Sequence, residues 1–321
     1  MKRRFLPTEI IFATTGFCNL SCSHCYVKKT TEKLDISLAN SFLKSCKDTS
    51  ISKVGFSGGE PLLYPEFIQE ISKQAVDLDL LFGRIMTNGF WWNDTKTLTA
   101  TLKGIYKSGF DGKFGLSFDY FHGQSVDKIT TFCESLFDIW NDGGILEIQS
   151  VEEKNSNQKL LDLLQNLAKK LNCSLSIDSK AKGYTKLVVI KNSHIFIPVY
   201  ISEQCFSSEQ SALWQDKKWF KEDYCLGPGN ILFVHPNGKI APCCGFANEN
   251  KKLFIGDISE SFEQIIKNAE NSFMVRVSHI DGLSKVRKKL EKVGVVFPGK
   301  TKNPCGFCDY ICKNDFSNLL Q

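Results

Sequence analysis

The sequence predicts an α/β fold on a parallel sheet, followed by a smaller unit of different character. Three observations predict it. Six strand patterns alternate with helical ones through the first half of the chain. The helical patterns keep an apolar period of about 3.6 residues. The alternation stops after Tyr184, where hairpin signals and a second group of cysteines take over.

The strand patterns are Glu9–Ala13, Lys53–Ser57, Leu81–Thr87, Lys113–Asp119, Ile145–Ser150 and Cys173–Ile177. Between them, Val126, Ile129, Phe132, Cys133, Leu136, Phe137 and Trp140 share one helical face, as do Leu160, Leu163, Leu164, Leu167 and Leu171. Repeated strand–helix units imply right-handed crossovers and a sheet that is either open and doubly wound or a curved, incomplete barrel. In both, loops at the carboxyl ends of the strands carry the chemistry. Beyond Tyr184, Leu187–Ile201 reads as one or two strands. Ile231–His235 and Lys239–Pro242 flank Pro236-Asn237-Gly238 and read as a hairpin. Helical stretches follow near Ser259–Asn271 and Ser278–Lys292, and the tail holds Cys305, Cys308 and Cys312.

Composition excludes several classes. A formal net charge of +5 over 321 residues, with no dense basic run among aromatics, argues against nucleic acid as a partner. Arg287, Lys288 and Lys289 read as a solvated helix face. Lys2, Arg3 and Arg4 precede an apolar stretch that ends at Cys18, as in a lipoprotein signal. Pro7, Thr8 and Glu9 break that stretch, however, and Phe17 is too bulky for its cleavage site. No run reaches the ~20 apolar residues of a membrane span. A cytoplasmic protein without a membrane partner is expected. Thirteen cysteines, an odd number, then argue for metal ligation over a disulfide framework.

The cysteines form two constellations. Cys18, Cys22 and Cys25 make C-x3-C-x2-C directly after the first strand. Three local thiolates can grip one face of an iron–sulfur cubane and leave one iron without a cysteine, or bind zinc with His24 as a fourth ligand. Gly58-Gly59-Glu60-Pro61 follows the second strand, where glycines let a ligand approach the backbone. Cys225, Gly238 and Cys243, with Cys305, Cys308 and Cys312, can meet around the hairpin as an iron–sulfur site or a zinc ribbon. Cys46, Cys133 and Cys173 read as core residues. Cys205 is ambiguous, and His122 lies near a strand's carboxyl end.

In this order and spacing, the CNLSCSHC loop and Gly-Gly-Glu-Pro resemble the radical S-adenosylmethionine superfamily. The resemblance implies a partial (β/α)6 TIM-like barrel, here over residues 1–200. It assigns Cys18, Cys22 and Cys25 to a 4Fe–4S cluster, with His24 at the aromatic position of the loop. S-adenosylmethionine would bind the open iron and contact Gly58, Gly59, Glu60, Asn88, Ser117, Asp119 and Gln149. Lys128 would pair with its carboxylate, and Ala181-Lys182-Gly183 would lie near adenine. One electron would then release a 5′-deoxyadenosyl radical that abstracts a substrate hydrogen. The second constellation resembles a SPASM domain shortened to a twitch domain, a small α+β unit over residues 201–321 with one auxiliary 4Fe–4S cluster. Cys225, Cys243, Cys305 and Cys308 are its expected ligands, with Cys312 and then Cys244 as rivals.

The expected function is oxidative modification of a ribosomally made peptide by a maturase. A radical dehydrogenase of a small alcohol or sugar is the alternative, and a non-catalytic zinc-stabilised binding module the alternative of another class. A reductase, flavodoxin or ferredoxin would donate electrons. The sequence names no catalytic acid or base.

Overall fold

The computed structural model describes residues 4–152, 158–177, 186–203, 209, 211–221, 224–225, 230–314 and 316–319. Cys205 and Ala181-Lys182-Gly183 lie outside the described residues.

Strands β1 (Glu9–Ala13), β2 (Lys53–Ser57), β3 (Leu81–Thr87), β4 (Lys113–Ser117) and β5 (Leu146–Glu152) pair side by side in parallel. Helices α1 (Ile36–Ser45), α2 (Pro65–Asp77), α3 (Thr95–Lys107) and α4 (Val126–Trp140) cross between them, and α5 (Gln158–Lys170) follows β5. Each forms where the sequence supplies both an apolar stripe and a start signal. In α4, Ile129, Phe132, Cys133 and Leu136 are buried on one face. Asp35 caps α1 by accepting from Leu38 N at 2.8 Å, and Asp94 caps α3 by accepting from Thr97 N at 2.8 Å. Alternate residues of the strands face this helical layer, so Ile10, Phe12, Val54, Phe56, Phe114 and Leu116 are fully buried. The opposite, inner face carries Ile11 and Ala13.

The sixth parallel strand is not the predicted one. β8 (Phe196–Glu203) pairs parallel to β5, whereas β6 (Ser174–Ile177) and β7 (Lys186–Lys191) add on antiparallel at the sheet edge. The reason lies in what each strand can bury. β8 places Ile197, Val199 and Ile201 in the core, while Ile177 in β6 stays 63% exposed. An inner parallel strand is covered on both faces, and Ser174-Leu175-Ser176-Ile177 cannot use that cover. Cys173 precedes β6 and is half-buried, whereas Cys46 and Cys133 are buried as expected.

The sheet continues past β1 on its other side. β9 (Ile231–Val234) lies parallel to β1, and β10 (Lys239–Ala241) and β11 (Gly256–Asp257) follow antiparallel. Among the described residues the order is β11-β10-β9-β1-β2-β3-β4-β5-β8-β7-β6, an unclosed sheet of eleven strands. The β9–β10 hairpin is the predicted one, and Gly238 takes a left-handed φ of 82° in its turn.

The remaining elements are α6 (Phe262–Asn271), α7 (Phe273–Val275) with a π-turn over Arg276–Asp281, α8 (Leu283–Lys292) and α9 (Pro304–Lys313). They enclose a second core of Trp214, Phe220, Leu253, Val286, Leu290, Phe307 and Ile311. Arg287 departs from the solvated face expected of it. Its guanidinium lies 4.9 Å from the Trp219 ring centre and bonds Glu291 at 2.6 Å. Among the described residues no helix is long and apolar enough to cross a membrane.

Candidate functional site

The first site is the loop after β1. Cys18 and Cys22 are half-buried and Cys25 is exposed. The loop is pinned against the end of β2 through backbone bonds. Gly59 N donates to Thr15 O at 2.7 Å, and Glu60 N donates to Phe17 O at 2.8 Å. Gly58 has φ +134°, and a Cβ there would meet Thr15 O at 2.6 Å. A Cβ on Gly59 would overlap the carbonyl of Phe17. These two glycines are required by the close approach of the cysteine loop. Gly59→Ala is therefore expected to destabilise the protein by about 1–3 kcal/mol and to displace the loop. Anaerobic urea unfolding beside iron analysis checks this, and a stable variant with full iron would contradict it.

Glu60 is fully buried, and both its oxygens are taken. Oε1 accepts from Leu62 N at 3.1 Å and from Thr87 Oγ1 at 2.8 Å, while Oε2 accepts from Asn88 N at 2.7 Å. Burial pushes its carboxyl up to about 7 despite these bonds. Asn88 in turn reaches the cysteine loop. Its Nδ2 donates to Asn19 Oδ1 at 2.9 Å and lies 3.8 Å from Cys18 Sγ.

At the end of β4, Ser117 is half-buried and its carbonyl accepts from Gln124 Nε2 at 2.8 Å. Gln124 also donates to Asn88 O at 2.5 Å, so it ties the ends of β3 and β4 together. Sequence reasoning missed it because a lone glutamine after a Gly123 turn carries no motif. Asp119 is 2% exposed and accepts from Phe121 N at 3.0 Å, Val151 N at 3.3 Å and the His122 ring at 2.7 Å. His24 packs its ring 5.1 Å from Phe121 and 4.7 Å from His122, and burial lowers its pKa. Among the described residues, His24, Asp119 and His122 form a set of potential ligands whose donor atoms lie within 4.8 Å of one another. Gln149, opposite Ser117 in the sheet, bonds Glu147 Oε1 at 3.2 Å. Lys128 turns onto aromatic faces, 4.2 Å from Phe90 and 4.7 Å from Trp92. Ser117, Asp119, Asn88 and the two glycines thus border one rim of strand ends, with the cysteine loop beside them.

The second site gathers thiols from three separate segments. A Cβ on Gly245 would lie 3.3 Å from Cys305 Sγ and 3.4 Å from Cys243 Sγ. Burial raises the Cys243 thiol pKa well above its ordinary value, helped by Cys244, Cys305, Cys308 and Cys225 around it. Cys225 is held through its N–H, which donates to Ser278 O of the π-turn at 2.9 Å. α9 presents Cys305 and Cys308 one turn apart. It starts at Pro304 behind the Asn303 cap, which accepts from Gly306 N at 3.0 Å. Cys312, one turn further, is 1% exposed in the second core, and the hydrogen bond between it and Cys308 raises the Cys308 thiol pKa. Cys244 turns the other way, against Ile11 and the inner face of β1 and β9, and burial pushes it up to about 11.

Both donor sets fit iron–sulfur clusters. In the second set, burial and the neighbouring thiols raise the Cys243 pKa, and a cationic metal centre would offset both; in the first loop, burial raises the half-buried Cys18 thiol. The first loop offers three sulfurs, one short of the four a cluster normally takes; the second offers four or more sulfurs.

Comparison with known proteins agrees. The family model described as "Radical SAM superfamily" matches residues 12–130, and the SPASM model, an iron–sulfur cluster-binding domain, matches residues 225–288. The chain belongs to the radical S-adenosylmethionine superfamily and carries a C-terminal SPASM domain. Its cofactors are accordingly S-adenosylmethionine and 4Fe–4S clusters in both units. YydG of Bacillus subtilis (strain 168), named for peptide biosynthesis, is 21% identical over 91% of this chain and 88% of its own. GTP 3′,8-cyclase of Chlorobaculum tepidum is 29% identical, but over 37% of this chain and 34% of its own length. The chain thus matches about a third of that relative. SuiB of Streptococcus suis, solved with its precursor peptide SuiA, superposes with a TM-score of 0.54 at 16% identity, over 94% of this chain and 76% of SuiB. That likeness speaks to the fold.

Proposed function

We propose that the protein is a maturase that oxidatively modifies a ribosomally made peptide in the cytoplasm. The carrying observation is the pairing of two thiol sites on one sheet: an open three-cysteine loop against Gly58-Gly59, and a closed set around Gly245. When bound, the first cluster and S-adenosylmethionine supply one-electron cleavage chemistry and an oxidising organic radical.

The chain's own residues do the rest. Cys18, Cys22 and Cys25 hold the first cluster. Gly58 and Gly59 offer backbone to the methionine group, while Glu60, Asn88, Ser117, Asp119 and Gln149 order the strand ends around it. His24 and Phe121 pack beside the loop and limit water there. Cys225, Cys243, Cys305 and Cys308 hold the auxiliary cluster, with Cys312 bonded behind Cys308. Held by four cysteines, the auxiliary cluster would have no open iron and would supply one-electron redox chemistry, which fits a net oxidation of the substrate. The barrel unit is assigned to residues 1–200 and the cluster unit to 201–321, although β8 (Phe196–Glu203) crosses that boundary and β9 pairs with β1 in the same sheet. A flavodoxin, ferredoxin or reductase supplies the starting electron. The end-to-end likeness to YydG, and the fold shared with peptide-bound SuiB, support the peptide over a small molecule.

Metal analysis tests the reading first. Anaerobic protein is expected to be brown with about eight irons per chain; colourless protein with stoichiometric zinc would end it. Replacing Cys225 and Cys243 by alanine is expected to leave about four irons and to preserve S-adenosylmethionine cleavage without substrate turnover. Iron content and 5′-deoxyadenosine are the readouts, and loss of all iron would show that the sites are not independent. Incubation with a short peptide encoded beside the gene, read by mass spectrometry, tests the substrate class.

A further inference from the structure

The two thiol sites are joined by one side chain that the proposed chemistry leaves unused. Tyr26 follows Cys25 directly. Its phenol donates to the carbonyl of Cys244 at 3.3 Å, and its ring lies 6.4 Å from the Phe246 ring. Cys244 adjoins Cys243, and Phe246 opens the 3-10 turn Phe246–Glu249. That turn packs on α9, which carries Cys305 and Cys308. Two residues on from Tyr26, the Lys28 N–H bonds Glu249 in the same turn. Residues 26–28 therefore clasp residues 244–249 at two points, and the Tyr26 contact runs from the neighbour of Cys25 to the neighbour of Cys243. The ring remains 42% exposed, so it is not part of either hydrophobic core.

We propose that Tyr26 is the electronic link between the two cluster sites. From Cys25 the path runs through the Tyr26 backbone, ring and hydroxyl, crosses one hydrogen bond to Cys244 O, and reaches Cys243 through covalent bonds. The step it serves is a single electron passing from the reduced auxiliary cluster to the oxidised first cluster. One cluster is oxidised, the other is reduced, and no bond forms or breaks. Such return of the electron would spare the external donor after each turnover. The inference rests on the two-cluster reading above.

The test uses the full chain with both clusters reconstituted anaerobically, as wild type, Tyr26→Phe and Tyr26→Leu. A sub-stoichiometric pulse of reductant is followed by freeze-quenched electron paramagnetic resonance, which reads how fast the electron distributes between the clusters. Tyr26→Phe keeps the ring on Phe246 and removes the hydroxyl bond. It is expected to slow the exchange several-fold with iron content and both midpoint potentials unchanged, and Tyr26→Leu is expected to slow it further. Equal exchange rates in all three proteins, with iron intact, would overturn the link. Loss of auxiliary iron in Tyr26→Phe would also count against it, because the hydroxyl would then be holding the site together. Wild-type protein that lacks one set of four irons would instead sink the two-cluster reading.

Discussion

Replacing Cys18, Cys22 and Cys25 together by alanine is expected to abolish 5′-deoxyadenosine formation under reductant and to lower the iron from about eight to about four atoms per chain. The effect is the largest the molecule offers, because the protein itself has no group that can deliver a single electron to a sulfonium; the cofactors carry that chemistry. The variant should still fold. Cys25 is exposed and the other two are half-buried, so the core loses little. The loop keeps its place through Gly59 N on Thr15 O and Glu60 N on Phe17 O, which do not involve the thiols. Retained auxiliary iron then serves as the internal control for folding. Nucleoside release by the triple variant would remove the basis of the proposed chemistry.

The legible parts of the chain were those where local chemistry and burial agree. β1, β2 and β3 fall on the expected residues, because each is a short apolar-rich run between punctuating loops. The cysteine loop and the glycine pair were legible for the same reason: their function needs residues close in sequence. The sixth strand was misplaced because Cys173–Ile177 alternates convincingly, and nothing local reveals that β8 offers three fully buried branched side chains to β5 instead. α9 was not foreseen, since a cysteine-rich tail reads as knuckles; only the Asn303 cap and Pro304 at its start hinted at a helix. Arg287 was read from a charge run, but a tryptophan distant in sequence decides its fate. Gln124 and the reach of Tyr26 to Cys244 depend on contacts across 36 and 218 positions, which no window of sequence contains.

Glu60 shows how a motif residue can act through geometry. Its side chain is buried and satisfied by three donors, one from Leu62 on its own loop and two from Thr87 and Asn88 on the next strand end. Burial outweighs those bonds and raises its pKa from the ordinary 4.5 to about 7. The sign follows from linkage. The folded protein binds this proton more tightly than the unfolded chain, so the associated stabilisation is complete below the unfolded value and is lost as pH rises through about 7. The amount is on the order of 3 kcal/mol. Glu60→Gln cannot titrate, and its amide faces the Asn88 N–H donor, so it should cost about 1–3 kcal/mol at pH 5. Urea unfolding of anaerobic, cluster-loaded protein at pH 5 and pH 8 reads both effects. Wild type is expected to lose more stability than the variant between the two conditions, by about 2.5 kcal/mol. Because Glu60 fixes Asn88, and Asn88 reaches toward Cys18, the variant is also expected to bind S-adenosylmethionine more weakly at both pH values. Parallel pH profiles for the two proteins would mean that the carboxyl is ionised throughout, and that the three hydrogen bonds, not burial, set its state.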